Sequence, residues 1–182
     1  MRLGNAGRMA ALSLALSPVL ASAQEAAEAP PPCAAEEYRQ FDFWLGSWEV
    51  TTPDGSVAGT NAIDSILNGC VLREQWRGAR GMTGTSFNTY DPHAGTWHQT
   101  WVDDRGGFLL LSGGLGEGSM VLQGEMVDDE GPVTHRITWT PVAAGQVRQL
   151  WEASRDGGGT WSVVFDGKYA RKGASPAADV GD

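Results

Sequence analysis

Basic side chains are scarce in this chain: 13 Lys and Arg stand against 22 Asp and Glu, a formal charge of −9 over 182 residues. No basic stripe offsets that balance, so phosphate backbones would be repelled and nucleic acid is excluded as a partner. Cysteine and histidine are equally sparse, with two of the first and three of the second. With only two cysteines and three histidines, a structural zinc site is not expected. His93 and His98 flank a turn, and Asp103-Asp104 and Asp128-Asp129-Glu130 are solvated acidic turns, so no converging set of metal ligands is expected. No Gly-x-Ser-x-Gly elbow occurs; Gly84-Thr85-Ser86-Phe87-Asn88 lacks the last glycine that the strained nucleophile turn needs. No cofactor motif is present.

Long apolar runs are confined to the start. Arg2 and Arg8 precede the run Met9–Leu20, and Ala21-Ser22-Ala23 supplies the small-x-small pattern of a signal-peptidase site. The run is shorter than the ~20 residues of a spanning helix, so the expectation is export with no membrane insertion. Residues 1–23 are read as a signal peptide, 24–32 as a flexible Ala/Glu/Pro leader, 33–172 as the folded domain and 173–182 as a disordered tail. The expected location is the periplasm or the medium of a bacterium. In an oxidising compartment Cys33 and Cys70 favour one disulfide, the alternative being two unpaired buried thiols.

Helical periodicity is also nearly absent, limited to Ala34–Asp42. What the chain has in quantity is glycine, 25 residues, and tryptophan, 8. From Trp48 onward, alternating segments are separated by turns rich in Gly, Pro, Asn and Asp. The expected strands are Trp48–Thr52, Val57–Leu67, Cys70–Arg77, Gly84–Tyr90, Trp97–Val102, Phe108–Ser112, Met120–Met126, Val133–Pro141, Val147–Ser154 and Trp161–Tyr169. Connections this short leave no room for crossover helices, which excludes a parallel sheet. A meander hides both edges by closing on itself, so an all-β, antiparallel, up-and-down barrel of about ten strands with a short N-terminal helix is expected. A β-sandwich is the alternative, but it normally carries a long Greek-key connection, and none is seen.

Parity nominates an interior. Glu74 shares a face with Leu72 and Trp76; Ser86, Asn88 and Tyr90 share another; Gln99 lies between Trp97 and Trp101, and Gln149 between Val147 and Trp151. The opposite faces carry Arg73, Arg77, His98, Arg148 and Glu152. On the last strand the expected inward set is Trp161, Val163, Phe165 and Tyr169. Polar groups among large rings suit a ligand pocket, with Trp76, Asn88, Tyr90, Gln99, Trp101, Gln149 and Trp151 as candidate binding residues. They equally suit a filled core in which the polar groups bond to one another or to buried water. Glu74, desolvated between Leu72 and Trp76, is the candidate catalytic acid or base.

Gly46-Ser47-Trp48 at the start of the first strand and Arg171 at the end of the last resemble the calycin superfamily of lipocalin-like and fatty-acid-binding-protein-like barrels. The resemblance implies that Trp48 plugs the closed end, that Gly46 opens the strand, and that Arg171 lies over the Trp48 ring. Phe41-Asp42-Phe43-Trp44-Leu45-Gly46-Ser47-Trp48, Asn68-Gly69-Cys70, Tyr90-Asp91-Pro92, Trp97-His98-Gln99-Thr100-Trp101 and Trp161–Gly167 further resemble an uncharacterised family of exported bacterial proteins. That likeness spans about residues 33–172 and carries no known activity. Nitrobindin-like haem binding would need a proximal histidine on the late strands, and the last histidine is His135. Ser154-Arg155-Asp156-Gly157-Gly158-Gly159-Thr160-Trp161 fits the Asp-box of sialidase propellers, but a single copy reads as a structural turn.

Three functions follow as alternatives. The first is an exported barrel that binds a small apolar or aromatic molecule. The second is a cofactor-free lyase or isomerase using Glu74 in the same cavity. The third is a structural or protein-binding module with a filled core and an exposed apolar patch.

Overall fold

The computed structural model describes residues 31–173; the expected signal peptide, nearly all of the leader and all but the first residue of the tail lie outside the described residues. Ten strands form one closed barrel: β1 (Gly46–Thr51), β2 (Val57–Ile66), β3 (Val71–Gly78), β4 (Thr83–Asp91), β5 (Thr96–Asp103), β6 (Phe108–Gly116), β7 (Ser119–Asp128), β8 (Gly131–Ala143), β9 (Gln146–Ser154) and β10 (Ser162–Arg171). Each strand pairs antiparallel with its sequence neighbours, and β1 pairs with β10, so no edge is left open. The all-β up-and-down barrel is therefore the fold.

The helical segment ahead of β1 consists of two 3-10 turns, Glu36–Arg39 and Asp42–Trp44, neither with a side-chain cap. They plug one end of the barrel. Phe41 stacks on Trp44 at 4.9 Å and meets the edges of Trp97 and Trp139 at 5.8 and 5.2 Å, and all four side chains are buried. The Cys33–Cys70 disulfide ties this plug to the turn before β3. Arg39 donates to the Gly69 carbonyl beside it.

The Gly-x-Trp…Arg closure has a direct physical basis. Trp48 pairs with Arg171 across the β1–β10 seam, and the guanidinium lies 4.8 Å from the centroid of the indole. Trp48 Nε1 donates to the Trp44 carbonyl at 2.9 Å, fastening wall to plug. Gly46 has φ 131°, and a Cβ there would collide with the Arg171 guanidinium. Only glycine meets both demands.

Outside, cross-strand ion pairs Arg73–Asp64, Arg136–Glu152 and Arg148–Asp166 line the wall. The outer faces of β4, β5 and β6 leave Phe87, Val102, Phe108 and Leu110 exposed. The Asp-box sequence forms the β9–β10 turn: Asp156 accepts from the Thr160 backbone and hydroxyl, both at 2.8 Å.

One parity assignment needs correction. Val163 is 63% exposed and Trp161 precedes the strand, lying under the Arg136 guanidinium at 3.8 Å. A bulge between Val163 and Phe165 adds one residue to β10. Val163 therefore pairs with outward Glu152, while Phe165 pairs with inward Trp151. The inward run of β10 is Phe165, Gly167 and Tyr169.

Among the described residues no helix is long and apolar enough to cross a membrane, and no group of three or more His, Cys, Asp or Glu could hold a metal ion.

Candidate functional site

At the end of the barrel away from the plug, the lumen holds a cavity of about 200 Å³. Its walls are Trp76, Trp101, Trp151 and Phe165 with Met82, Leu109, Ile137 and Val164, and its polar surface comes from Glu74, Gln99, Gln149 and Tyr169. The register explains the gathering. Glu74 on β3 faces Ser86 on β4, Asn88 faces Gln99 on β5, and Gln149 on β9 faces Gly167 on β10. Alternation then puts each of these side chains inside and Arg73, Arg148 and Glu152 outside.

The rings leave room because glycines sit beneath them. A Cβ on Gly59 would collide with the Arg77 carbonyl and lie 2.9 Å from Cζ2 of Trp76, and one on Gly84 would overlap the outer ring carbons of Trp101. Gly167 makes the same space for Phe165. Each ring folds sideways over a glycine along the wall rather than crossing the lumen.

Below the rings runs a chain of hydrogen bonds. Gln99 Nε2 donates to Asn88 Oδ1 at 2.8 Å, and Asn88 Nδ2 donates to Ser86 Oγ at 3.0 Å and to the Leu72 carbonyl at 3.1 Å. Ser86 Oγ donates to Glu74 Oε2 at 2.7 Å, while Asn61 Nδ2 donates to Glu74 Oε1 at 2.6 Å. Asn61 Nδ2 also reaches the Tyr169 hydroxyl at 3.4 Å, and that hydroxyl donates to Gln149 Oε1. Asn61 Oδ1 is buried without a partner among the described residues.

Glu74 is 5% exposed. Burial pushes its carboxyl from 4.5 up to about 6, against the opposing pull of hydrogen bonds from Ser86 and Asn61. Burial, and then the charge of Glu74, raises the Tyr169 hydroxyl well above its ordinary value. On the lumen face of β8, two residues from Ile137, His135 Nδ1 accepts from Trp151 Nε1 at 2.9 Å, and burial lowers that imidazole.

Of the residues nominated from sequence, Glu74, Trp76, Gln99, Trp101, Gln149 and Trp151 meet at the cavity. Asn88 is fully buried one layer behind, where it orients Gln99. Tyr90 lies elsewhere: it packs 6.0 Å from Trp97 and 5.4 Å from Tyr38 at the plugged end. Gly46, Trp48 and Arg171 form the seam, away from the cavity. Sequence reasoning did not nominate Asn61 for the site. Its parity with Gly59 and Ile63 was readable, but its pairing opposite Trp76 was not.

No family model matches the chain, and no curated protein matches it either.

Proposed function

We propose that this chain is an exported barrel that binds a small aromatic or largely apolar molecule in the lumen. The observation that carries the reading is the cavity itself: about 200 Å³, walled by three indoles and a phenyl ring, with oriented polar groups at its base. An apolar protein cavity of ~150 Å³ takes up benzene, so a one-ring or compact two-ring molecule is the matching size. Few polar groups on apolar walls fix orientation without forfeiting burial. Export to an oxidising compartment is supported by the formed disulfide together with the apolar, small-x-small start of the chain. The likeness to calycins rests on the closed antiparallel barrel and the Trp48–Arg171 seam.

The test is titration of the purified protein with benzene, indole and naphthalene, following tryptophan emission and thermal stability. Quenching or stabilisation by at least one probe is expected, since three reporter indoles line the cavity. No response to any of them removes the reading.

A second reading has its own observation. A carboxyl titrating at about 6 and facing an indole-lined cavity is suited to proton transfer near neutral pH. A lyase or isomerase using Glu74 as acid or base would lose its turnover in Glu74→Gln, whereas a binding protein would have no turnover to lose.

A further inference from the structure

The buried carboxylate of Glu74 has no counter-ion. Its two oxygens accept from Asn61 and Ser86, both neutral. The ion pairs among the described residues lie elsewhere, and none includes Glu74. No Lys, Arg or His lines the cavity that Glu74 faces. Buried charges in proteins are normally paired, because neutral donors replace hydration only in part.

We infer that the molecule taken up in this cavity is a cation, a protonated amine on a small aromatic or compact apolar group, whose ammonium pairs with Glu74. This rests on the binding reading above and names its ligand class. Three further features point the same way. Trp76, Trp101 and Trp151 surround the cavity with indoles, the best faces for a cation. Gln99 commits its amide nitrogen to Asn88, and among the described residues no hydrogen bond engages its carbonyl oxygen, a second acceptor for N–H groups. The chain carries 22 acidic against 13 basic residues, a field that draws cations toward the barrel and turns anions away.

A ligand carboxylate would meet Glu74 and find no positive partner. A neutral ligand would fill the walls and leave the carboxylate unpaired. An ammonium supplies what the site lacks, and the apolar remainder occupies the space between the rings.

The experiment uses the disulfide-bonded protein and three probes that share one ring and differ in charge: phenethylamine, 2-phenylethanol and phenylacetate. Calorimetric titration at about pH 7.5 should rank the amine at least about tenfold tighter than the alcohol, a difference of about 1.4 kcal/mol, with phenylacetate weakest. Lowering the pH to about 5 should weaken the amine and leave the alcohol unchanged, as Glu74 takes up a proton. His135 and Tyr169 are the other titratable groups near the cavity, and Glu74→Gln titrated at both pH values separates their effect on the amine from that of Glu74. Glu74→Gln should bring amine and alcohol to within about threefold. Equal affinities for amine and alcohol in the native protein, or a preference for phenylacetate, overturn the cation and leave the cavity reading standing. No binding of any of the three, nor of indole, overturns both.

Discussion

Replacing Glu74 with glutamine converts the burial of one carboxyl into a measurable pH profile. In the native protein this group titrates at about 6 rather than 4.5, with burial as the leading cause. Each pKa unit corresponds to about 1.4 kcal/mol between protonation states, so the shift is worth about 2 kcal/mol. The sign follows from which state holds the proton more tightly. Between pH 4.5 and about 6 the folded protein binds more protons at this site than the unfolded chain does. The contribution is fully present below the unfolded value and is lost as pH rises through the folded one. Wild type should therefore lose about 2 kcal/mol relative to Glu74→Gln across that window, then run parallel to it above about pH 7. Urea unfolding followed by tryptophan emission, at half-unit steps from about pH 4.5 to 7.5, reads both curves. The lowered carboxylates Asp91, Asp128, Asp156 and Asp166 titrate below this window and are common to both proteins, as is His135. A difference curve that stays flat across the window would refute the idea that burial governs this carboxyl.

Three other substitutions address the frame around the site. Trp48→Ala removes a fully buried ring from the seam and should cost about 3–5 kcal/mol in chemical unfolding; a loss under about 1 kcal/mol contradicts its placement. The Cys33→Ser/Cys70→Ser pair opens a loop with a sequence separation of 37 and should cost about 3–4 kcal/mol on the chain-entropy account; intact mass before and after reduction checks the bond, and two free thiols in exported protein contradict it. Gly84→Ala should push the Trp101 ring into the lumen, costing about 1–3 kcal/mol by overpacking and reducing the uptake of aromatic probes. Unchanged stability and unchanged uptake in that variant would mean that the ring does not lie over Gly84.

Much of the barrel was legible because each hairpin carries its own local chemistry. Asp91-Pro92-His93-Ala94-Gly95 shows the pattern: Asp91 accepts from the His93 and Ala94 backbones, and Gly95 takes φ 65°. The lumen side of Glu74, Gln99 and Gln149 followed from parity, since one face carried indoles and the other carried charged residues on β3 and β9 and His98 and Thr100 on β5. Three things could not be read. The bulge in β10 has no signature in Val163-Val164-Phe165, where both parities are apolar, so the strand start was assigned to the wrong face. The remoteness of Tyr90 from the cavity depends on its height along the barrel axis, which parity does not carry. The pairing of Asn61 opposite Trp76 depends on inter-strand register, a long-range property absent from β2 alone.

The glycines under the rings have a consequence for how such a chamber could change. Part of its capacity comes from the methyl groups missing from Gly84 and Gly167, where a Cβ would meet the Trp101 and Phe165 rings first. Adding one of those methyls would tip a ring inward and shrink the chamber while leaving Glu74, Gln99 and Gln149 in place. Size selection and polar recognition are thus held by separate positions. A lineage of such barrels could alter the bulk of its guest by single backbone-level substitutions and still meet the guest's polar end with the same three residues.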